Sequence, residues 1–288
     1  MGVALPALTL AAAAIATAAL ALAASSLGSA GNVLLVSGPN GTTEAGFRAE
    51  QHTPAISGDG RFVAFVGSVG ETGDGVYLRN TSDGTTAVDV PGGESEHGIG
   101  FAAGSPSLSG TGRYLAFASE DPEISDEDRD SVTTPAGDTF PVRDIFVFDR
   151  STGATSLVSR ASGAKGGGGN EDSNLPSISA DGRYVAFQTE ATNFLHGSYG
   201  GVFVRDLRRQ TTTAAASVRL HPGGPLNGGF TPSISAHGRW VAFLAEAHLR
   251  HGHALEVAVR DMTGKRTVYA SRTGGRHGSL AAGDCKLP

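Results

Sequence analysis

The residues best suited to hold a metal ion fall in two stretches of the 288-residue chain. Ser119-Glu120-Asp121-Pro122-Glu123-Ile124-Ser125-Asp126-Glu127-Asp128-Arg129-Asp130 sets Asp126, Asp128 and Asp130 at alternate positions, giving the hard carboxylate oxygens that Ca²⁺ takes. The run lacks the central glycine and the distal bidentate glutamate of an EF-hand loop, so its first reading is a solvated acidic loop and its second a Ca²⁺ site. The second stretch, His248-Leu249-Arg250-His251-Gly252-His253, offers imidazoles at a spacing that suits zinc or nickel, with His277 further on. It has no cysteine beside it and no helical pattern to fix the rings.

Nucleophilic and phosphate chemistry find no motif. Neither G-x-S-x-G nor G-x-x-x-x-G-K-[ST] occurs, and the Gly166–Gly169 run reads as a flexible linker. We assign no catalytic residue and no cofactor, Ca²⁺ being the one ion that the acidic run admits. A net charge of −6 leaves no basic face for a phosphate backbone, which excludes nucleic acid as a partner class. The single cysteine, Cys285, cannot form an internal disulfide.

The elements that would position any site come from a repeat. PAISGDGRFVAF from Pro54, PSLSGTGRYLAF from Pro106, PSISADGRYVAF from Pro176 and PSISAHGRWVAF from Pro232 superimpose, with starts 52, 70 and 56 residues apart. In each unit the run after proline (Ser177-Ile178-Ser179 in the third) predicts strand A, and Asp181-Gly182 supplies the positive φ of a tight hairpin. Arg183–Gln188 is then strand B, whose consecutive apolar residues Tyr184-Val185-Ala186-Phe187 require cover on both faces. Strand C follows as residues 76–80, 145–149, 202–206 and 257–261, and strand D as TTAVDV, TSLVS, TTTAAAS and RTVYAS. Between C and D, Gly84, Gly153 and Gly264 are available for positive φ, whereas the third unit has Leu207-Arg208-Arg209-Gln210.

Recurrent polar residues have structural readings. Ser57, Ser109, Ser179 and Ser235 can bond local backbone. Asp59, Thr111, Asp181 and His237 share one turn position, so no carboxylate is required there. Asn80, Asp149, Asp206 and Asp261 end strand C as turn caps, and Arg79, Arg205 and Arg260 before them read as partners in surface ion pairs.

The pattern P-x-[IL]-S-x-[DTH]-G-R-[FYW]-[VL]-A-F followed by V-[FYA]-[VL]-R-[DN] resembles the PD40 or TolB-like repeat, over almost all of residues 33–288. The resemblance implies an all-β protein, a β-propeller of four-stranded antiparallel blades related to WD40-like repeats and serving as a binding scaffold or as the companion of a hydrolase. More narrowly it resembles secreted bacterial repeat proteins that carry D-T-N-G-x-x-D before strand C. Asp138-Thr139-Phe140-Pro141-Val142-Arg143-Asp144 keeps part of that loop, so Asp138 and Asp144 join the candidate metal ligands on the resemblance alone.

Residues 1–30 are apolar or small, and no charged side chain precedes Glu44. They read as a signal peptide cleaved after Ala30, as an uncleaved membrane anchor, or as the product of a misassigned start codon. The first two place residues 31–288 outside the cytoplasm, secreted, periplasmic or on the cell surface, with any membrane contact made only through an uncleaved N-terminus. Val33–Ser37 aligns with strand D of other units, and Lys286-Leu287-Pro288 with Asn174-Leu175-Pro176. The expectation is therefore four full blades plus an orphan N-terminal strand and a C-terminal stub, as in a fragment of a longer repeat protein. The expected function is non-catalytic binding of a protein, a peptide or an envelope glycan. The alternatives are the propeller portion of an envelope hydrolase, or a TolB-like component of an envelope complex.

Overall fold

The computed structural model describes residues 47–49, 54–69, 75–82, 86–89, 104–121, 124, 131–133, 139–195, 198–219, 227–249 and 252–271. The chain divides into two units, Met1–Val36 and Ser37–Pro288, and every described residue belongs to the second. Val33–Ser37 and the C-terminal stub lie outside the described residues.

Four antiparallel sheets follow one another along the chain. The first contains β1 (Phe47–Ala49), β2 (Ala55–Ile56), β3 (Phe62–Val69), β4 (Gly75–Asn80) and β5 (Thr86–Asp89). Both β1 and β2 pair with β3, so they are two segments of one interrupted strand and the sheet keeps the four-stranded plan. The second contains β6 (Gly104–Leu108), β7 (Tyr114–Ser119), β10 (Asp144–Asp149) and β11 (Ala154–Leu157), with a small hairpin of β8 (Ser131–Thr133) and β9 (Thr139–Pro141) inserted between its middle strands. The third runs β12 (Ser173–Ile178), β13 (Tyr184–Thr189), β14 (Ser198–Asp206) and β15 (Thr211–Arg219). The fourth runs β16 (Asn227–Ile234), β17 (Trp240–Leu249), β18 (Gly252–Asp261) and β19 (Arg266–Tyr269). Among the described residues there is no helix long and apolar enough to cross a membrane.

Both faces of the inner sheets are buried, as the unbroken apolar run on strand B requires. Val185 and Phe187 pack with Ala116, Ile145 and Val147 of the preceding sheet. Their neighbour Ala186 points the other way and packs with Val241 and Phe243 of the next sheet. Phe187 stacks on Phe203 at 6.4 Å between ring centroids and meets Phe194 edge-on at 6.1 Å.

Three departures from the sequence reading have physical causes. Strand A begins before the proline instead of after it: Ser105, Leu175 and Thr231, each preceding that proline, adopt φ of 49°, 54° and 47°. The ladder shifts register there, at Asn174/Ser177 in the third sheet, so the proline, which has no N–H to donate, falls in a bulge. Second, the left-handed residue of the C–D turn stands four after the capping Asp: Gly153 (φ 73°), Gln210 (57°) and Lys265 (53°), so Gly264 is not the residue that needs the conformation. Third, the glycine run is fastened, not a free linker. Ala161 N–H donates to Gly167 O at 2.9 Å, Gly169 N–H to Ser159 O at 3.0 Å, and the Asn193 amide to Gly168 O at 2.7 Å.

Candidate functional site

The repeated hairpin between strands A and B sets one end of every sheet. Its serine oxygen accepts the N–H five residues on: Phe62 to Ser57 at 3.0 Å, Tyr114 to Ser109 at 3.0 Å, Tyr184 to Ser179 at 2.9 Å and Trp240 to Ser235 at 3.0 Å. Gly60, Gly112, Gly182 and Gly238 close the turn at φ of 65° to 72°. Where the turn carries Asp it is also bonded: Asp181 accepts the Ser179 hydroxyl at 2.5 Å and Arg183 N–H at 3.1 Å, and the Ser57 hydroxyl with Arg61 N–H holds the Asp59 carboxyl below its ordinary pKa. These groups are engaged in shaping the turn.

The arginine after that glycine forms a clasp that the sequence reading passed over. Arg183 Nε and Nη2 donate to the two oxygens of Asp206 at 3.1 and 2.7 Å, and Arg113–Asp149 and Arg239–Asp261 repeat the fork. The signal was present: the arginine is invariant across units, and strand C ends in Asp wherever a full clasp forms. Each guanidinium also lies over the next aromatic ring, 4.8 Å from Tyr114, 4.7 Å from Tyr184 and 4.9 Å from Trp240. In the first sheet Asn80 replaces the carboxylate, and Arg61 sits further from Phe62, at 5.9 Å. The same Asp caps the turn, Asp206 accepting N–H of Arg208 and Arg209 at 3.1 and 3.0 Å.

The clasps predict an acid-sensitive stability. Arg113 and the Ser151 hydroxyl hold the Asp149 carboxyl far below its ordinary pKa, and Arg239 with Gly264 N–H holds Asp261 at about 2. Burial pushes Asp206 up, but Arg183 and two backbone N–H groups outweigh it and the net shift is down. A carboxylate depressed on folding contributes stability that is complete above its unfolded pKa of ~3.9 and is lost as pH falls through the folded value. The urea midpoint should therefore hold down to about pH 5 and drop between about pH 4 and 2. The triple variant D149N/D206N/D261N should show a shallower drop in that window; an equal drop would refute the role of the clasps.

Arg79 and Arg205, read from the sequence as surface residues, are instead buried. On strand C, Arg205 shares the parity of Phe203, which faces the preceding sheet, and its guanidinium donates to Ala161 O at 2.9 Å and Thr212 Oγ1 at 3.0 Å.

The connections between strands B and C vary widely, from the stretch joining β7 to β10 down to residues 250–251 between β17 and β18. The long one is tied at its base: Arg143 pairs with Glu120, donates its backbone N–H to Asp172 at 3.0 Å and bonds Asn174 at 3.1 Å. Asp144 is fully buried and accepts the Ser159 hydroxyl. Asp126, Asp128, Asp130, Asp138, His251 and His277 lie outside the described residues. His248 and His253 stand directly opposite each other at the tip of the β17–β18 ladder. Among the described residues no three His, Cys, Asp or Glu side chains gather to hold a metal. A hollow of about 510 Å³ opens where the second and third sheets meet, lined by Tyr114, Asp181, Gly182, Arg183, Leu207 and Arg208.

Four successive four-stranded antiparallel sheets, packed face to face and joined through their inner strands, define a β-propeller. No protein-family model and no curated protein matches the chain. Among solved structures, TolB from Acinetobacter baumannii is similar at 19% identity and a TM-score of 0.44, over 75% of this chain and 42% of that one. Oligogalacturonate lyase in complex with manganese is similar at 11% identity and 0.48, over 76% and 52%. The β-propeller domain of the trilobed protease from Pyrococcus furiosus is similar at 13% identity and 0.42, over 78% and 60%. The chain thus spans less than two thirds of each of them.

Proposed function

We propose that the chain is an extracytoplasmic, non-catalytic binding or scaffold propeller of the PD40/TolB-like type, which takes a protein, a peptide or an envelope glycan on its variable end. One observation carries the reading: the polar groups that recur from blade to blade are used within the scaffold, while the connections between B and C differ in every blade. The serine hydroxyls accept backbone N–H groups and the strand-end aspartates cap turns and bind arginine. Loops of unequal length on a repeated frame give a recognition surface that can vary without disturbing the fold. The apolar residues 1–30 support the extracytoplasmic part of the proposal.

The test replaces residues 122–130 and 250–251 with Gly/Ser segments and measures binding to purified envelope protein and envelope glycan fractions, beside the urea midpoint. Binding by the unaltered chain that disappears in the variant at an unchanged midpoint is the expected result. Equal binding by both would remove the variable end from the function.

A further inference from the structure

Each junction between successive blades is built from the same two unlike halves. On the trailing side of one blade stands the aromatic residue that opens strand B; on the leading side of the next stands the left-handed glycine of its A–B turn. A Cβ on Gly112 would lie 2.5 Å from Phe62, one on Gly182 2.2 Å from Tyr114, and one on Gly238 2.2 Å from Tyr184, so glycine is what lets the rings seat. Hydrogen bonds repeat with the rings. Ile178 N–H donates to Ser107 Oγ at 3.0 Å and Ile234 N–H to Ser177 Oγ at 3.1 Å, each from one blade to the blade before it. The turns themselves are linked, Asp59 N–H to Gly110 O at 2.9 Å, Gly110 N–H to Ala180 O at 2.9 Å and Asp181 N–H to Ala236 O at 3.2 Å.

At the two ends of the array these halves are left over. Trp240, the fourth aromatic of the series, is 40% exposed, while Phe62 in the first blade is 4% exposed. The rest of its face is also open: Ala242, Leu244, Val257 and Val259 are part-exposed, whereas Ala186, Val202 and Val204 at matching places in the third blade are buried. At the other end Ile56 is 63% exposed, while Leu108 and Ile178 at the same repeat position are buried. A Cβ on Gly60 would meet nothing within 4 Å, unlike its three counterparts. Phe65 and Arg79 on that leading face are buried, so the open area lies at the A–B turn, around Ile56 and Gly60. Among the described strands, extensive packing joins blade one to two, two to three and three to four, and does not join four to one.

We infer that the occupant of these faces is a second copy of this chain, docked head to tail so that Trp240 of each copy seats on Gly60 and Ile56 of the other. Each end presents the half that the other lacks: an exposed ring against a glycine with empty space above it, and the Ser233 position against the Ile56 N–H. His237 on the trailing turn would meet Asp59, as Asp181 meets His237 at 3.7 Å within the chain. Propellers close with about 4–8 blades, so two copies of the four described blades reach the top of that range and three would exceed it. The assembly is a closed dimer with two heterologous contacts.

Light scattering on the full chain, against the mass of the same sample as a denatured single chain, tests this. The wild type should show twice the single-chain mass. Ile56→Glu and Trp240→Glu change exposed side chains, so each should stay folded by circular dichroism and show the single-chain mass alone. Mixed in equal amounts, they leave one native Trp240-to-Gly60 contact, and a dimer absent from either sample should reappear. A wild type of single-chain mass, a mass beyond two chains, a dimer that survives Trp240→Glu, or a mixture that stays at the single-chain mass would each overturn the proposal.

Discussion

Gly182→Ala is expected to lower folding stability by about 2–5 kcal/mol, although it adds a single methyl group. Two costs combine at this position. The backbone sits at φ 71°, where an L residue costs roughly 1–2 kcal/mol. The added Cβ would also lie 2.2 Å from Tyr114 Cδ2 and 2.7 Å from Cε2. The ring lies between the Arg113 guanidinium, 4.8 Å from its centroid, and Leu207 in the same cluster, and displacing it is overpacking of a kind that costs roughly 1–3 kcal/mol. Gly153→Ala separates the two, because Gly153 has φ 73° but nothing within 4 Å of its Cβ position, and it should lose only the backbone part, about 1–2 kcal/mol. Urea midpoints of the two variants measure the difference. Equal losses would mean that the aromatic ring does not seat on the following blade's glycine.

Much of the frame was legible because each signal is local. The glycine after Asp59, Thr111, Asp181 and His237 marks the A–B hairpin, and the repeated serine has its backbone partner five residues away. What escaped depends on the opposite face or on a distant segment. A residue before proline ordinarily prefers extended backbone, so the left-handed Ser105, Leu175 and Thr231 follow from the bulge that the sheet needs and not from their own preference. Arg205 reads as a surface cation by type, and only its parity with Phe203 on strand C points it inward. The clasp Arg183–Asp206 joins residues of two strands, and it became visible once the register set Tyr184 opposite Asp206. Of the candidate site, the turn residues were readable, while Asp126, Asp128, Asp130, Asp138 and His251 fall outside the described residues.

Phe187→Asp and Ala186→Asp should both be damaging, and this pair bears most directly on the claim that each inner blade is covered on two sides. Both residues are fully buried, yet they project in opposite directions, Phe187 toward the second blade and Ala186 toward the fourth. An aspartate at either would be a buried carboxylate in an apolar junction, Phe187 standing opposite Phe203 and Ala186 opposite Val204, a change that costs about 3–5 kcal/mol. A sheet with one wet face would accept one of the two almost without loss. The deciding measurement is the urea midpoint of each variant beside the wild type. We predict that both fall by several kcal/mol; a wild-type midpoint for Ala186→Asp would contradict the stacked-blade account.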